Sequence, residues 1–188
     1  GDQIMALISL NMKNSGRLKG EGLVSTVMSN LGLERFLEAE GMRLERTKVG
    51  DRFVLERMKQ LGWNLGGEQS GHMILSDYAT TGEGMVAALQ VLSVMVRQSR
   101  RASEVLNQFS PVPQVLKNVR FTGANPLDAD PVKDVIREVE GEFGNAGRLV
   151  IRPSGTEPLI RVMAEGDDAA FVDQAVNRIC EVVRASAG

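Results

Sequence analysis

The chain has 188 residues, of which 43% are hydrophobic, enough to bury a sizeable core as one large domain or two small ones. Its 22 basic and 24 acidic residues leave a net charge of −2 and are interspersed, so no global field attracts nucleic acid or a membrane surface. Because aromatic residues make up only 4%, the composition argues against nucleic-acid binding and favours a small-molecule partner.

The cysteine content and the hydropathy of the sequence are indicators of the cellular compartment. The single cysteine, Cys180, cannot form an internal disulfide, which is typical of a reducing setting, so we predict a cytoplasmic location. The longest apolar run, residues 85–96, contains Gln90 and Ser93 and is too short to span a bilayer, and we interpret it as a buried helix. No signal peptide is visible, and the start at Gly1 instead of Met suggests a missing upstream part.

Predicted helices and strands alternate through residues 1–110. The helices are expected to begin near residues 4, 30, 51 and 80, and the strands to cover residues 23–28, 43–49, 63–67 and 73–75. Ser29-Asn30 and Asp51 are predicted N-caps, and Thr80 to Glu83 a capping box. This alternation predicts an α/β domain with a mostly parallel mixed sheet, whose ligands bind beyond the carboxyl ends of the strands.

The pattern changes near Pro111-Val112-Pro113, where we place a boundary between domains 1–110 and 111–188. Beyond it we predict a strand over 115–121, a helix begun by Asp130-Pro131, two more strands and a last helix. The order strand, helix, strand, strand, helix favours a small α+β domain with an antiparallel sheet and two helices on one face.

The segment 152–158, RPSGTEP, is a polar loop between two apolar runs, 149–151 and 159–163. Its prolines restrict the backbone at both ends, and Gly155 has no Cβ to keep a ligand from the main chain. Backbone amides of such a loop can point towards an anion.

Side chains of this loop add further donors. Ser154 and Thr156 supply hydroxyl groups, and Arg152 and Arg161 supply guanidinium groups that match phosphate oxygens. An ordinary hairpin turn also uses Ser, Gly and Thr, but it does not explain two flanking arginines. We therefore predict an anion site, from which Glu157 points away and orients an arginine.

The segment 67–72, GEQSGH, places a carboxylate, an amide, a hydroxyl and the only histidine on a glycine-flanked turn. Glu68 and Ser70 are suited to bidentate hydrogen bonding with vicinal sugar hydroxyls. His72 can exchange a proton near neutral pH, although a lone histidine is more often structural than catalytic. A dinucleotide-binding reading fails, because the loop does not match GxGxxG.

GEQSGH, then TTGEG with its helix, then RPSGTEP followed by LIRVM resemble the carboxyl-terminal half of the α-D-phosphohexomutases. The resemblance also includes TVMSNLGLE at 26–34 and KVGDRFVLE at 48–56, and TTGEG favours the branch acting on glucosamine over the mannose and glucose branch. It implies an enzyme of four domains around one cleft that moves phosphate between positions 6 and 1 of the sugar. This chain would supply the third and fourth domains.

The resemblance implies roles for the first loop. Glu68 and Ser70 match contacts to sugar hydroxyls, and His72 matches a position implicated in proton transfer or substrate positioning. Lys48 lies in a loop that faces the cleft in relatives, so we include it among the sugar-binding candidates. A lysine at a strand end with no such role is an equally good reading.

For the second loop, Arg152, Ser154, Gly155 and Thr156 match the residues that hold the substrate's non-reacting phosphate. Arg161 is added on charge and proximity alone.

Two features of the resembling family lie outside this sequence: the phosphorylated serine of the first domain and the aspartate-rich Mg2+ loop of the second. We therefore expect no metal site here, Mg2+ and glucosamine 1,6-bisphosphate, as intermediate or activator, only in the full-length enzyme, and no catalysis by the 188 residues alone. The expected partners are a phosphosugar and the missing amino-terminal domains, and a homodimer of the full-length enzyme stays open. The alternatives are a phosphomannomutase or phosphoglucomutase, or a non-catalytic phosphosugar-binding module.

Overall fold

A computed structural model describes residues 1–187, which divide into two compact units, the first Gly1–Pro111 and the second starting at Val112. The first unit holds five helices and four strands among its residues. The helices are α1 (Asp2–Asn14), α2 (Leu31–Ala39), α3 (Asp51–Leu61), α4 (Gly84–Gln98) and the short α5 (Ala102–Val105). The strands are β1 (Gly22–Thr26), β2 (Arg43–Thr47), β3 (Leu65–Gly67) and β4 (Met73–Leu75).

The four strands form one sheet in the order β2-β1-β3-β4. The strand β1 pairs in parallel with both β2 and β3, whereas β4 runs antiparallel to β3. The predicted mostly parallel mixed sheet is therefore confirmed, and the parallel strands end at one edge.

Side-chain alternation along β1 divides the core of this unit into two layers. Leu23 packs with Met5 and Leu33 of α1 and α2, while its neighbour Val24 packs with Val54 of α3. Helices consequently cover both faces of the sheet, as the sequence predicts.

The glycines of β3 permit close packing on both faces. A Cβ at Gly66 would lie 2.5 Å from the sulfur of Met58, and one at Gly67 would lie 2.8 Å from the carbonyl oxygen of His72. Such separations are far below van der Waals contact, so any larger residue would push α3 or the following loop away.

The helix starts match the sequence predictions only in part. Asn30 caps α2 by accepting from the Gly32 amide at 2.9 Å, as predicted. The prediction for Asp51 is wrong, because Gly50 is the N-cap of α3 and the Asp51 carboxylate accepts instead from the adjacent Arg52 amide. The capping box at 80–83 is also wrong, since α4 begins at Gly84 with no side-chain cap.

The interpretation of residues 85–96 as a buried helix is wrong as well. The segment is helical, but only Ala87 and Val94 of α4 are buried. Four large apolar side chains of this helix stay exposed: Met85, Leu89, Leu92 and Val96. Within residues 1–187, no helix combines the length and apolar character needed to cross a lipid bilayer.

The second unit is built from β5 (Gln114–Arg120), α6 (Asp130–Phe143), β6 (Gly147–Pro153), β7 (Leu159–Gly166) and α7 (Ala169–Ala185), with one 3-10 turn at Pro126–Asp128. Its strands form an antiparallel sheet in the order β5-β7-β6. The two helices pack on one face through a stripe that includes Val139 and Ile179, and Cys180 is buried among them. The predicted α+β arrangement is confirmed.

Predicted strand limits are off by one to three residues. β1 ends at Thr26 instead of residue 28, β2 at Thr47 instead of 49, and β3 starts at Leu65 instead of 63. The differences lie where the chain leaves the ladder. The Val27 amide still donates to the Thr47 carbonyl at 2.9 Å, and Val49 continues the apolar pattern beyond the last paired residue of β2.

Candidate phosphosugar-binding loops

Two loops of the first unit are joined at the carboxyl edge of its sheet. Residues 48–50 follow β2, residues 68–72 follow β3, and the Gly50 amide donates to Glu68 Oε1 at 3.0 Å. Glu68 therefore fixes the loop that carries Lys48, whose own side chain is exposed. The structure thus associates two candidate residues that are 20 positions apart in sequence.

The second Glu68 oxygen, Oε2, lies 3.6 Å from Nδ1 of His72. Ser70 Oγ lies 3.2 Å from the same nitrogen, with the donor set by the imidazole tautomer. The Glu68 side chain is only 12% exposed, whereas that of His72 is 64% exposed. This arrangement presents an oriented imidazole and a hydroxyl to solvent on a buried carboxylate, which suits recognition of a sugar hydroxyl or transfer of its proton.

Two backbone hydrogen bonds close the turn formed by residues 68–72. The Glu68 amide donates to the His72 carbonyl at 2.9 Å, and the Gly71 amide donates to the Glu68 carbonyl at 2.9 Å. Gly71 has φ +107°, a left-handed conformation that side chains rarely adopt. From β1, the buried Ser25 hydroxyl donates to the Gly67 carbonyl at 2.8 Å, a support that sequence reasoning missed because Ser25 lies inside a strand.

In the second unit, Arg152 of β6 and Arg161 of β7 are directly opposite each other in the antiparallel pair. Their Cβ atoms are therefore about 5 Å apart on one face of the sheet. No ion pair with either guanidinium occurs among residues 1–187, and the Nε atoms of both are buried without a hydrogen-bond partner. Two like charges lie side by side with unsatisfied donors, an arrangement that suits the binding of an anion.

The electrostatic cost of this pair is visible at Arg152. Burial lowers the pKa of its guanidinium from the ordinary value, and the charge of Arg161 lowers it further. Arginine nevertheless stays protonated at physiological pH, so the repulsion is not relieved by loss of a proton. A phosphate between the two groups would supply the missing countercharge and acceptors.

Some polar groups of the loop after Arg152 are already hydrogen-bonded within the turn. The Ser154 amide donates to the Leu159 carbonyl at 2.8 Å, so it does not serve as an anion donor, and the Ser154 hydroxyl accepts weakly from the Thr156 amide at 3.5 Å. A Cβ at Gly155 would meet no atom within 4 Å. The fold itself does not require glycine there, which leaves room above the main chain for a ligand.

Glu157 lies 3.4 Å from Arg120 of β5, a partner that sequence reasoning did not identify. Both side chains are substantially exposed, 75% for Arg120 and 47% for Glu157. Asn118 is directly opposite Arg161 on the same strand as Arg120. Register brings these residues together, and register is not visible in the sequence.

A second arginine position on the same sheet face provides a contrast. Arg148 donates to the fully buried Glu165 at 2.5 Å, and Gln114 donates to the other oxygen of that carboxylate at 3.1 Å. Arg148 is therefore neutralised within the fold, whereas Arg152, four residues along β6, is not. This difference makes Arg152 and Arg161 candidates for binding an anion.

No group of three or more His, Cys, Asp or Glu side chains that could hold a metal ion occurs among residues 1–187. The donor set that an octahedral Mg2+ prefers, clustered oxygen ligands, is not offered by this part of the chain. The described residues therefore do not fit a resident magnesium ion.

Comparison with known protein families matches both units. The model for phosphoglucomutase/phosphomannomutase alpha/beta/alpha domain III matches residues 1–112, and the model for the C-terminal domain of phosphoglucomutase/phosphomannomutase matches residues 116–182.

Individual relatives with high sequence identity belong to the same family. The chain is 66% identical over 186 residues to a phosphoglucosamine mutase of Sphingopyxis alaskensis, and 64% identical over 187 residues to one of Novosphingobium aromaticivorans. These matches cover 99% and 100% of this chain but 42% of each relative, so the chain spans less than half of their length. The fold is similar to that of Aspergillus fumigatus N-acetylphosphoglucosamine mutase in complex with GlcNAc-6P and magnesium, with a TM-score of 0.79, 18% identity, and coverage of 100% of this chain and 44% of that one.

Proposed function

Because the chain belongs to the phosphoglucomutase/phosphomannomutase family, we propose that it supplies two substrate-binding loops of a phosphoglucosamine mutase. The substrate would be glucosamine 6-phosphate, converted to glucosamine 1-phosphate. The observation that carries this proposal is the Arg152–Arg161 pair, two adjacent arginines that form no ion pair with any residue of the described range 1–187. Identity above 60% to two phosphoglucosamine mutases supports the choice of sugar.

Each loop has its own role in this proposal. Arg152, Arg161, Thr156 and the open main chain at Gly155 hold the phosphate that is not reacting, with Ser154 ordering the turn. Each charge-assisted hydrogen bond to that phosphate contributes about 1.5–3 kcal/mol. Phosphoryl transfer depends chiefly on the positions of the reacting groups. Holding the non-reacting phosphate in one place therefore also fixes the position of the reacting hydroxyl of the same sugar.

The loops of the first unit bind the sugar. His72 and Ser70 contact hydroxyl groups, and Glu68 orients His72 while its other oxygen holds the Lys48 loop. An imidazole supported in this way can hold a proton of the sugar hydroxyl that accepts or loses phosphate. Lys48 then adds a positive charge near the transferring group.

The remaining chemistry lies outside these residues. Ser70 and Glu68 both lie at the same His72 nitrogen, Nδ1, so the imidazole is not placed as a base between a serine and an orienting carboxylate, and the Ser154 hydroxyl accepts from the Thr156 amide. We therefore propose that the phosphorylated serine and the Mg2+ ligands belong to a part of the protein upstream of Gly1. When bound there, Mg2+ supplies charge stabilisation for the transferring phosphoryl group. A glucosamine 1,6-bisphosphate intermediate and a cytoplasmic location are parts of the same proposal.

The test compares the 188-residue chain with the same gene product extended upstream. We expect the extended protein to interconvert glucosamine 6-phosphate and glucosamine 1-phosphate, and the 188 residues to bind glucosamine 6-phosphate without converting it. Mannose and glucose phosphates in the same assay decide the sugar. Conversion by the 188 residues alone, or an extended protein that prefers mannose or glucose phosphates, would contradict the proposal.

A non-catalytic phosphosugar-binding module is the second candidate, because the binding loops occur in a chain spanning 42% of the length of its relatives. A stop codon directly upstream of Gly1 in the gene would favour it.

A further inference from the structure

The first unit has a cavity of about 400 Å³ at the amino edge of its sheet, which we call the amino-edge cavity. Of its lining residues, Lys19 precedes β1, Trp63 precedes β3, and Asp77 follows the antiparallel β4, so all three lie at one edge. Residues 48–50 and 68–72 follow β2 and β3 and therefore lie at the opposite edge. A volume of a few hundred Å³ is typical of small-molecule sites, and this cavity is separate from the candidate phosphosugar-binding loops.

One wall of the amino-edge cavity is apolar and belongs to the core of the unit. Trp63 and Met58 are 7% and 1% exposed and pack in one hydrophobic cluster, with the half-buried Leu55 against it. The main chain of Gly20 lies against the indole ring, because a Cβ at this position would come 2.4 Å from Trp63 Nε1. The fold therefore fixes this wall before a ligand binds, which reduces the entropic cost of binding.

The polar side of the cavity is held in place by the buried side chain of Asn64. This amide accepts from the Lys19 backbone amide at 2.8 Å and donates to the Arg17 carbonyl at 2.9 Å and to Asp77 Oδ2 at 2.7 Å. The other Asp77 oxygen, Oδ1, accepts from Lys19 Nζ at 2.6 Å. Both oxygens of the carboxylate are therefore engaged within the fold, and its charge is balanced by Lys19.

Two donors among the lining residues have no partner in the described range 1–187. Trp63 Nε1 makes no hydrogen bond there, and the exposed Lys59 makes no ion pair. Because Lys19 is balanced by Asp77, the ammonium group of Lys59 is the uncompensated charge of the lining. An indole N–H and an ammonium group beside an apolar wall suit a ligand that joins an anionic group to an apolar body. A cationic ligand would instead be repelled by Lys59.

We propose that the amino-edge cavity binds a small amphiphilic monoanion, with its apolar body against Trp63 and Leu55 and its anionic group at Lys59. One negative charge matches the one uncompensated lysine, and an aromatic carboxylate is the simplest member of this class. The inference goes beyond the proposed function and does not depend on it, because the cavity and the phosphosugar-binding loop 68–72 lie at opposite edges of the sheet.

The indole resonance of Trp63 reports directly on the cavity, because Trp63 is the only tryptophan of the chain. In an NMR titration of the 188-residue chain with 1-naphthoate, the Nε1–Hε1 signal should shift and saturate with a Kd of about 1 mM or below, as for a fragment of this size. The uncharged 1-naphthalenemethanol should bind at least about fivefold more weakly, because it lacks the charge that meets Lys59. The absence of a saturable shift with 1-naphthoate, or equal binding of the alcohol, overturns the inference.

A charge-removing variant tests the assignment of Lys59. Lys59→Gln should raise the Kd for 1-naphthoate about fivefold and leave the Tm almost unchanged, because Lys59 is exposed. Lys133→Gln is the matched control: Lys133 pairs with Asp130 on α6 of the second unit, so this variant should bind 1-naphthoate like the unchanged chain. Equal Kd values for the two variants overturn the inference.

Glucosamine 6-phosphate separates this inference from the proposed function. A saturating amount of it should leave the binding of 1-naphthoate unchanged, because the two ligands occupy opposite edges of the sheet. Displacement of 1-naphthoate by glucosamine 6-phosphate would place both in one site and overturn the inference. A failure of glucosamine 6-phosphate to bind at all would count against the proposed function and not against the amino-edge cavity.

Discussion

Arg152 and Arg161 face each other across neighbouring antiparallel strands, and neither has an ion pair among residues 1–187. Four positions away from each, the same sheet face pairs Arg148 with the buried Glu165. Arg148 is therefore neutralised by the fold, while Arg152 and Arg161 have no ion pair within the described residues. With the anion site proposed above, this relationship leads to separate predictions for stability and for binding.

Replacing Arg161 with methionine should stabilise the ligand-free chain and weaken its ligand binding. The substitution removes like-charge repulsion worth up to about 1 kcal/mol between cross-strand neighbours. It also removes charge-assisted hydrogen bonds, so affinity for glucosamine 6-phosphate should fall about tenfold or more. Urea unfolding and isothermal titration calorimetry measure the two effects.

Arg137→Met is the matched control, because Arg137 lies exposed on α6 and pairs with Asp134. It should change neither affinity nor stability by much. An Arg161 variant that is less stable, with affinity unaltered, would show that the pair is structural.

Replacing Arg148 with methionine should lower the stability of the chain but leave its ligand binding unchanged. The change removes the charged partner Arg148 from the fully buried Glu165 carboxylate, so the free energy of unfolding should drop by about 2–3 kcal/mol. The phosphosugar affinity of the folded protein should stay the same. If the affinity falls as far as in the Arg161 variant, the two ends of the sheet face are not separate in function.

The ion pair between Arg120 and Glu157 should keep a competing carboxylate away from the phosphate. In Arg120→Ala, Glu157 loses its partner and becomes available to the Arg152–Arg161 pair, so phosphosugar affinity should fall by about fivefold or less, as for an exposed ion pair. Adding Glu157→Gln to that variant should restore the affinity. A double variant that binds as weakly as Arg120→Ala would mean that Arg120 contacts the phosphate directly.

Acid should weaken the first unit through Asp77. Hydrogen bonds from Lys19 and then from the buried Asn64 lower the pKa of this carboxyl below its ordinary value. A depressed folded-state pKa contributes stability above the unfolded-state pKa, and that stability is lost as the pH falls through the folded-state value.

The corresponding measurement follows the Tm from about pH 7 to about pH 3. Asp77→Asn should lower the Tm at neutral pH and lose less of it on acidification than the unchanged chain does. Parallel curves for the two proteins would exclude Asp77 as the titrating group.

Sequence periodicity predicted both sheets and nearly all elements, because each buried strand and amphipathic helix leaves a local pattern. It also selected both loops, since glycine and polar side chains between apolar runs are a local signal. It misjudged α4, because a long apolar run does not by itself show which of its side chains are buried. Hydrophobicity predicted burial, and the structure places four of those side chains outside.

Pairing across strands and loops could not be predicted in the same way. That Arg161 meets Arg152, that Glu157 meets Arg120 and that the Gly50 amide meets Glu68 depend on register and turn geometry. The sequence offers only charge and nearness to the loop as reasons to count Arg161 among the phosphate-binding candidates. The register, which places Arg161 opposite Arg152, gives a physical reason. Arg120 carried no local signal, since an arginine at a strand end is common on any surface.

The most direct test observes the arginine side chains themselves. In an NMR titration of the 188-residue chain with glucosamine 6-phosphate, the Nε–Hε resonances of Arg152 and Arg161 should shift together and saturate at one Kd, while those of Arg148 stay in place. No saturable shift at Arg152 and Arg161, or an equal shift at Arg148, would contradict the assignment of this pair as the phosphate-binding site.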